Sequence, residues 1–435
     1  MLRVVAVGLT LGLGALCGCG SDTLVTPPNQ RQFLPVGGED QAAFILHPVP
    51  LPLAVMVKNG DGSAAPNINI DWAVKTGGGT LSSTRAVTDA GGIASVTWTL
   101  GYELGTQSVT ADAPGLSVLP LTFSATGRPL PIVLQNTGSG WNMALVDTTN
   151  VSGVLASIWG AGPSNVFAVG KCQATPLDMR YNGSVWTVPA CSARAPGGSA
   201  FVHQYTSVWG NSASDVFAVR QYRRTMSSMA AIDHFDGQSW TESYIRQCSG
   251  QCGLAAHAVW TGAPSSAIAV GDSGTILRYN GASWNPEPSG TTAHLTAIWG
   301  AGASGPVFAV GDAGTIIINN GAGWTAQTSG TTQPLYAVWG TSGSDVFAVG
   351  GAGTILHYDG TSWTSQSSGS TESLRGLWGS SGSSVYAVGD ATTILRYNGS
   401  SWAAETVNAF TNPSMNLTAV WGATSSNIIA VGQPR

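Results

Sequence analysis

A Trp-Gly pair, preceded by short apolar residues, recurs along most of this chain and constrains its fold more than any other feature. Its tryptophans are Trp159, Trp209, Trp299, Trp339, Trp378 and Trp421, and Trp260 belongs to the series with its glycine delayed by Thr261. A second series, Trp186, Trp240, Trp284, Trp324, Trp363 and Trp402, follows turns of the Asn-Gly or Asp-Gly kind. The spacing is about 40 residues, rising to about 50 in the first two copies, and such a period built of short strands points to blades arranged around an axis. The most regular copy parses into the strands Leu335 to Trp339, Val346 to Val349, Thr354 to Tyr358 and Ser362 to Ser365. Asp359-Gly360 supplies two-residue hairpin chemistry between the last two. Runs such as VFAV need not alternate, because both faces of a blade pack against neighbours.

The last copy stops at Ile428 to Gly432, after two strands, and the missing pair lies at the start of the region as Pro131 to Asn136 and Trp141 to Leu145. The expectation is a seven-bladed β-propeller closed by strands from both ends of the domain, which removes the exposed edges of an open array. A six-bladed ring with loose flanking strands is the alternative. It would leave Trp141 and Trp421 without partners.

Upstream, Arg3 precedes the apolar run Val4 to Leu16, which is too short to span a bilayer and reads as a signal peptide. Its end, Leu16-Cys17-Gly18-Cys19, resembles a bacterial lipobox. That resemblance implies acylation of Cys19 and, with Gly20 behind it, an outer-membrane or cell-surface location; an ordinary secretory signal is the other reading. Residues 1–18 are then the lipoprotein signal peptide, 19–37 a tether carrying Pro27 and Pro28, 38–127 an immunoglobulin-like β-sandwich and 128–435 the propeller. The whole chain is expected to be all-β. Sandwich strands are expected at Leu51 to Lys58, Ile68 to Lys75, Gly92 to Leu100 and Thr106 to Ala113, with Trp72 and Trp98 as core aromatics.

The succession PLAVMVKNGDG, INIDWAVKTGGGTLSS, TDAGGIASVTWTLG and GTQSVTA resembles the bacterial Ig-like domains of the invasin and intimin type (Big-1). The resemblance implies an extracellular spacer or adhesive module and carries no catalytic residue with it. The phrase AVGxxGTILxYxGxxW resembles the Trp-Gly propeller repeats of secreted and surface bacterial proteins, and more distantly the YCF48-like and sialidase-type propellers. Such folds host hydrolases, lectins and scaffolds alike, so they name no ligand.

Only 9% of the residues are charged and the net charge is -5, which gives no reason to expect nucleic acid. In an exported protein Cys172, Cys191, Cys248 and Cys252 are read as disulfide cysteines. Three pairings exist; Cys172 with Cys191 and Cys248 with Cys252 keep each bridge within one repeat.

Departures from the repeat are the best guide to a site. The second copy inserts Arg220 to Ala230, with Tyr222, Arg223 and Arg224, on the face where both cysteine pairs also fall. The third residue before each first tryptophan varies, as Ala156, Thr206, His257, Thr296, Tyr336, Arg375 and Thr418, and this series is expected to ring the mouth of the central channel. Candidate ligand contacts are therefore Tyr222, Arg223, Arg224, His257, Tyr336 and Arg375, with solvated rim residues as the bland alternative. The channel-mouth series holds no Asp or Glu for glycoside hydrolysis. Asp272, Asp312 and Asp390 sit in repeated turns that account for them. The histidines His47, His203, His234, His257, His294 and His357 show no metal-binding spacing. The expected role is that of a non-enzymatic, monomeric surface lipoprotein that binds a protein or a glycan and needs no cofactor. A surface hydrolase or lyase acting on polysaccharide through the insertion face is the alternative.

Overall fold

The computed structural model describes residues 31–144, 153–173, 175–188, 202–224, 227–245, 256–408 and 415–434. Among these, the repeat region forms seven four-stranded antiparallel sheets. In the most regular repeat the strands run Leu335–Ser342, Asp345–Gly350, Ile355–Tyr358 and Trp363–Gln366. Each innermost strand packs on the innermost strand of the next sheet, and the last, Met415–Thr424, packs on the first, Gly153–Gly162, so the series closes on itself. The seventh sheet takes Trp141–Met143 and Ile132–Asn136 from one end of the region and Asn427–Pro434 and Met415–Thr424 from the other. Ile132 pairs with Gly432 and Asn136 with Ile428, hydrogen-bonding the two ends of the region together.

The Trp-Gly pair has a packing cause. A Cβ placed on Gly379 would come within 2.5 Å of the Trp339 ring in the preceding sheet, and one on Gly422 within 2.6 Å of Trp378. Gly160 in the first sheet stands in the same relation to Trp421 in the last, again at 2.6 Å. The tryptophan of one sheet therefore lies on the glycine of the next, where no side chain fits. Thr261 replaces that glycine in the third sheet, and there Trp209 Nε1 donates to the Thr261 carbonyl at 3.2 Å.

The second tryptophan series adds polar stitches across the joints. Trp284 Nε1 donates to Ser243 Oγ, Trp324 to Glu287, Trp402 to Gln366 and Trp141 to Glu405, each partner lying in or just past the outer strand of the preceding sheet. These four indoles keep a partner for their one N–H, whereas the buried Trp363 Nε1 has none among the described residues.

The second sheet departs from the others in its interior. Tyr205, Arg220 and Asp233 occupy positions that the fifth sheet fills with Leu335, Gly350 and Leu356, by strand register. Tyr205 donates to Asp233 Oδ2 at 2.8 Å, and Arg220 donates through Nη2 to Asp233 Oδ1 and Glu242 Oε2, both at 2.8 Å. Arg220 Nε also stands 2.7 Å from Asp233 Oδ2, an ion-pair contact without hydrogen-bond alignment. Asp233 is 4% exposed. Burial, then Asp233, pushes the Tyr205 phenol far above its usual range.

This corrects the expected insertion. Residues 220–224 and 227–230 lengthen two paired strands, Asp215–Arg224 and Ser227–Phe235, in which Tyr222, Arg223 and Arg224 face Met229, Ser228 and Ser227 across the ladder. The side chains of residues 222–229 lie outside what the structure describes.

Residues 32–128 form a three-stranded sheet (Gln32–Gly37, Leu53–Lys58, Ile93–Val96) and a five-stranded one in the order Gln41–Phe44, Leu121–Arg128, Gly105–Asp112, Asn69–Thr76, Arg85–Val87. Both contribute to one core, in which Trp72 and Trp98 are 2% and 0% exposed. The expected strand Gly92 to Leu100 is broken at Thr97, and its second half, Trp98–Thr99, pairs instead with Thr80–Leu81. The sheet also begins inside the expected tether: Gln32–Gly37 pairs with Leu53–Lys58, and Phe33 enters the core.

Candidate functional site at the mouth of the central cavity

Every innermost strand carries a β-bulge at the third residue before its tryptophan. Pairing skips from Leu155 to Ser157, Tyr205 to Ser207, Ala256 to Ala258, Leu295 to Ala297, Leu335 to Ala337, Leu374 to Gly376 and Leu417 to Ala419. The residues left unpaired are Ala156, Thr206, His257, Thr296, Tyr336, Arg375 and Thr418. A bulge re-aims the side chain it frees, and all seven residues line one central cavity of about 170 Å³.

The three threonines are structural. Thr206 Oγ1 donates to the His257 carbonyl at 3.2 Å, Thr296 Oγ1 to the Leu335 carbonyl at 2.5 Å and Thr418 Oγ1 to the Leu155 carbonyl at 3.0 Å. Each ties its sheet to the next, the last of them across the closure.

The chemistry gathers on the third to sixth sheets. Arg375 makes a bidentate pair with Asp390, Nε to Oδ1 at 2.6 Å and Nη2 to Oδ2 at 2.8 Å, and its guanidinium carbon lies 5.3 Å from the Tyr336 ring centroid. The bond to Asp390 raises the Arg375 pKa still further, and the tyrosine face adds a cation–π contact. His257 Nε2 stands 2.6 Å from Asp272 Oδ1, and Gln221 Nε2 donates to His257 Nδ1 at 3.1 Å.

Turn chemistry does not account for Asp272 and Asp390, contrary to expectation. Their turns are closed by the backbone, with Thr275 N donating to the Asp272 carbonyl and Thr393 N to that of Asp390. The middle residues, Ser273 and Ala391, sit at φ 51° and 52°. Both carboxylates are left to reach the bulged His257 and Arg375. The structure thus unites three of the expected contacts, His257, Tyr336 and Arg375, and adds acidic partners that sequence reasoning had set aside. Their signal was the Gly-Asp turn that follows the bulge by 15 residues in both the third and the sixth repeat. Cys172 is 1% exposed at the end of Asn165–Cys172. The other cysteines of the expected bridges, Cys191, Cys248 and Cys252, lie outside the described residues, as does Cys19.

YCF48 bound to D1 peptide matches 65% of this chain and 92% of its own, at 15% identity and a TM-score of 0.51. The fold is a β-propeller. YCF48 from Cyanidioschyzon merolae matches at 14% identity over 64% of this chain and 96% of that one, with a TM-score of 0.49. The WD40 β-propeller domain of Doa1 matches at 11% identity over 65% and 94%, also with a TM-score of 0.49. No family model matches the chain, and no curated protein does. Likeness at these identities speaks to fold and leaves function to the site.

Proposed function

We propose that the chain is a non-enzymatic surface protein whose seven sheets are the blades of one propeller, and that this propeller binds a protein partner at the mouth of its central cavity. The observation that carries this reading is the convergence of Tyr336, the Arg375–Asp390 pair and His257 on bulged positions around one opening. A cavity of about 170 Å³ admits a side chain or a chain end. It is smaller than the roughly 300–1,000 Å³ sites that enclose small ligands, which favours a protruding protein element over an enclosed glycan. That a peptide is bound in the structure of YCF48 accords with this use of the fold. Both Asp390 oxygens accept from Arg375, so this carboxylate is engaged within the protein and not presented to a glycosidic oxygen.

In this reading the immunoglobulin-like unit is a spacer, and Cys19 carries the lipid that holds the protein at the outer membrane. A photo-crosslinking amino acid at Ala156, across the mouth, is expected to give partner adducts on intact cells. Arg375→Ala should cut their yield by about tenfold or more. Adducts indifferent to Arg375→Ala would reject the mouth as the binding face. For the anchor, Cys19→Ser should move the protein from the membrane to the soluble fraction, and unchanged fractionation would reject it.

A further inference from the structure

Two departures from the repeat and one of its turn carboxylates meet in one place. His257 stands on the third sheet's bulge, where the other sheets carry Ala, Thr, Tyr or Arg. Asp272 comes from the turn after that sheet's second strand, and His294 from the connection into the fourth sheet, where the next two repeats have Pro334 and Ser373. We propose that His257, Asp272 and His294 form a binding site for a divalent transition-metal ion, zinc foremost, at the edge of the cavity mouth.

His257 Nε2, Asp272 Oδ1 and His294 Nδ1 all lie within 4.8 Å of one another. Asp272 Oδ1 is 2.6 Å from the first nitrogen and 2.9 Å from the second. Ligands about 2.0–2.1 Å from a tetrahedral zinc stand about 3.4 Å apart, so side-chain shifts of about an ångström complete the geometry. Two imidazoles and one carboxylate also form a donor set that suits zinc.

The hydrogen bonding at His294 points the same way. His294 Nδ1 lies 2.9 Å from the Asp272 oxygen that His257 also approaches, and the Ser273 amide reaches the same nitrogen at 3.3 Å, so the ring is held facing the shared carboxylate. Among the described residues, two other His–Asp pairs lack this convergence. His234 pairs with Asp215 and His357 with Asp345, one imidazole to one carboxylate, with each ring stacked 4.4 Å from a phenylalanine in a repeated structural device.

Gln221 is the residue that must respond. Its amide nitrogen now serves His257 Nδ1 and the Ala256 carbonyl. With metal on Nε2 the proton moves to Nδ1, and the amide turns to offer its oxygen. The His294 side chain is 51% exposed, so the fourth position opens to solvent, where a water or a donor from outside the chain completes the tetrahedron.

The test uses the untagged full chain with zinc alone and needs no partner. Calorimetry is expected to show one zinc per chain at micromolar or tighter affinity, and cobalt substitution to give the visible absorption of a four-coordinate site. His294→Ala, at a half-exposed connection, and Asp272→Asn should each weaken binding by about a hundredfold or more, with the circular dichroism spectrum unchanged. His47→Ala, in the N-terminal unit, should leave binding intact. Failure to bind zinc at micromolar concentration, or binding that survives both His294→Ala and Asp272→Asn, overturns the proposal.

Discussion

Asp233→Leu alone is expected to destabilise the propeller by about 3–5 kcal/mol, the loss seen when one partner of a buried ion pair is removed. The substitution takes from the Arg220 guanidinium, 16% exposed, the buried carboxylate it pairs with, and strands the Tyr205 hydroxyl in the interior. The triple variant Tyr205→Leu, Arg220→Gly, Asp233→Leu restores the apolar set of the fifth sheet and should recover most of that loss. Replacing a whole buried ionic group by well-packed apolar residues is often neutral or stabilising. Urea unfolding of the single and triple variants measures both. A single variant as stable as the parent would show that the network bears no load; a triple variant as weak as the single would show that the second sheet has diverged too far to revert.

The second large effect belongs to the closure. Trp141 is fully buried, donates to Glu405 Oε2 at 2.7 Å, meets Tyr386 edge-on at 6.0 Å and packs with Ile132, Leu134, Leu417 and Ile428. Trp141→Ala should cost about 3–5 kcal/mol. Its signature is where the loss appears. Hydrogen exchange should quicken first in Ile132–Asn136 and Asn427–Pro434, the strands that join the two ends, and only later in the fifth sheet. Uniform quickening around the ring would mean that closure and blades unfold as one unit.

The repeat, its four strands and the borrowed strands of the seventh sheet were legible in sequence because each rests on local pattern: two tryptophans, a hairpin turn and apolar runs. Even the mouth series could be read, since a fixed offset from a tryptophan is a sequence property. Its partners could not. Asp272 and Asp390 looked like turn residues because they are turn residues. Their second role depends on a bulge that turns His257 and Arg375 towards them, and a bulge leaves no mark in residue type. Arg220 misled for a related reason: an arginine replacing the repeat's glycine reads as the start of an exposed insertion unless Asp233 is known to lie beside it. His294 lay outside any metal spacing because its neighbours come from other strands.

The seating of each tryptophan on the following glycine also makes the repeats interchangeable parts. A regular repeat carries a tryptophan to offer onward and a glycine to receive with, so one of the later blades could be exchanged for another without reshaping either joint. The third repeat is the exception. Thr261 stands in its receiving position and its contact with Trp209 is a hydrogen bond to the backbone. A transplanted blade would therefore meet a mismatched socket at that joint, and the sheet that bears His257 is tied to its place in the ring.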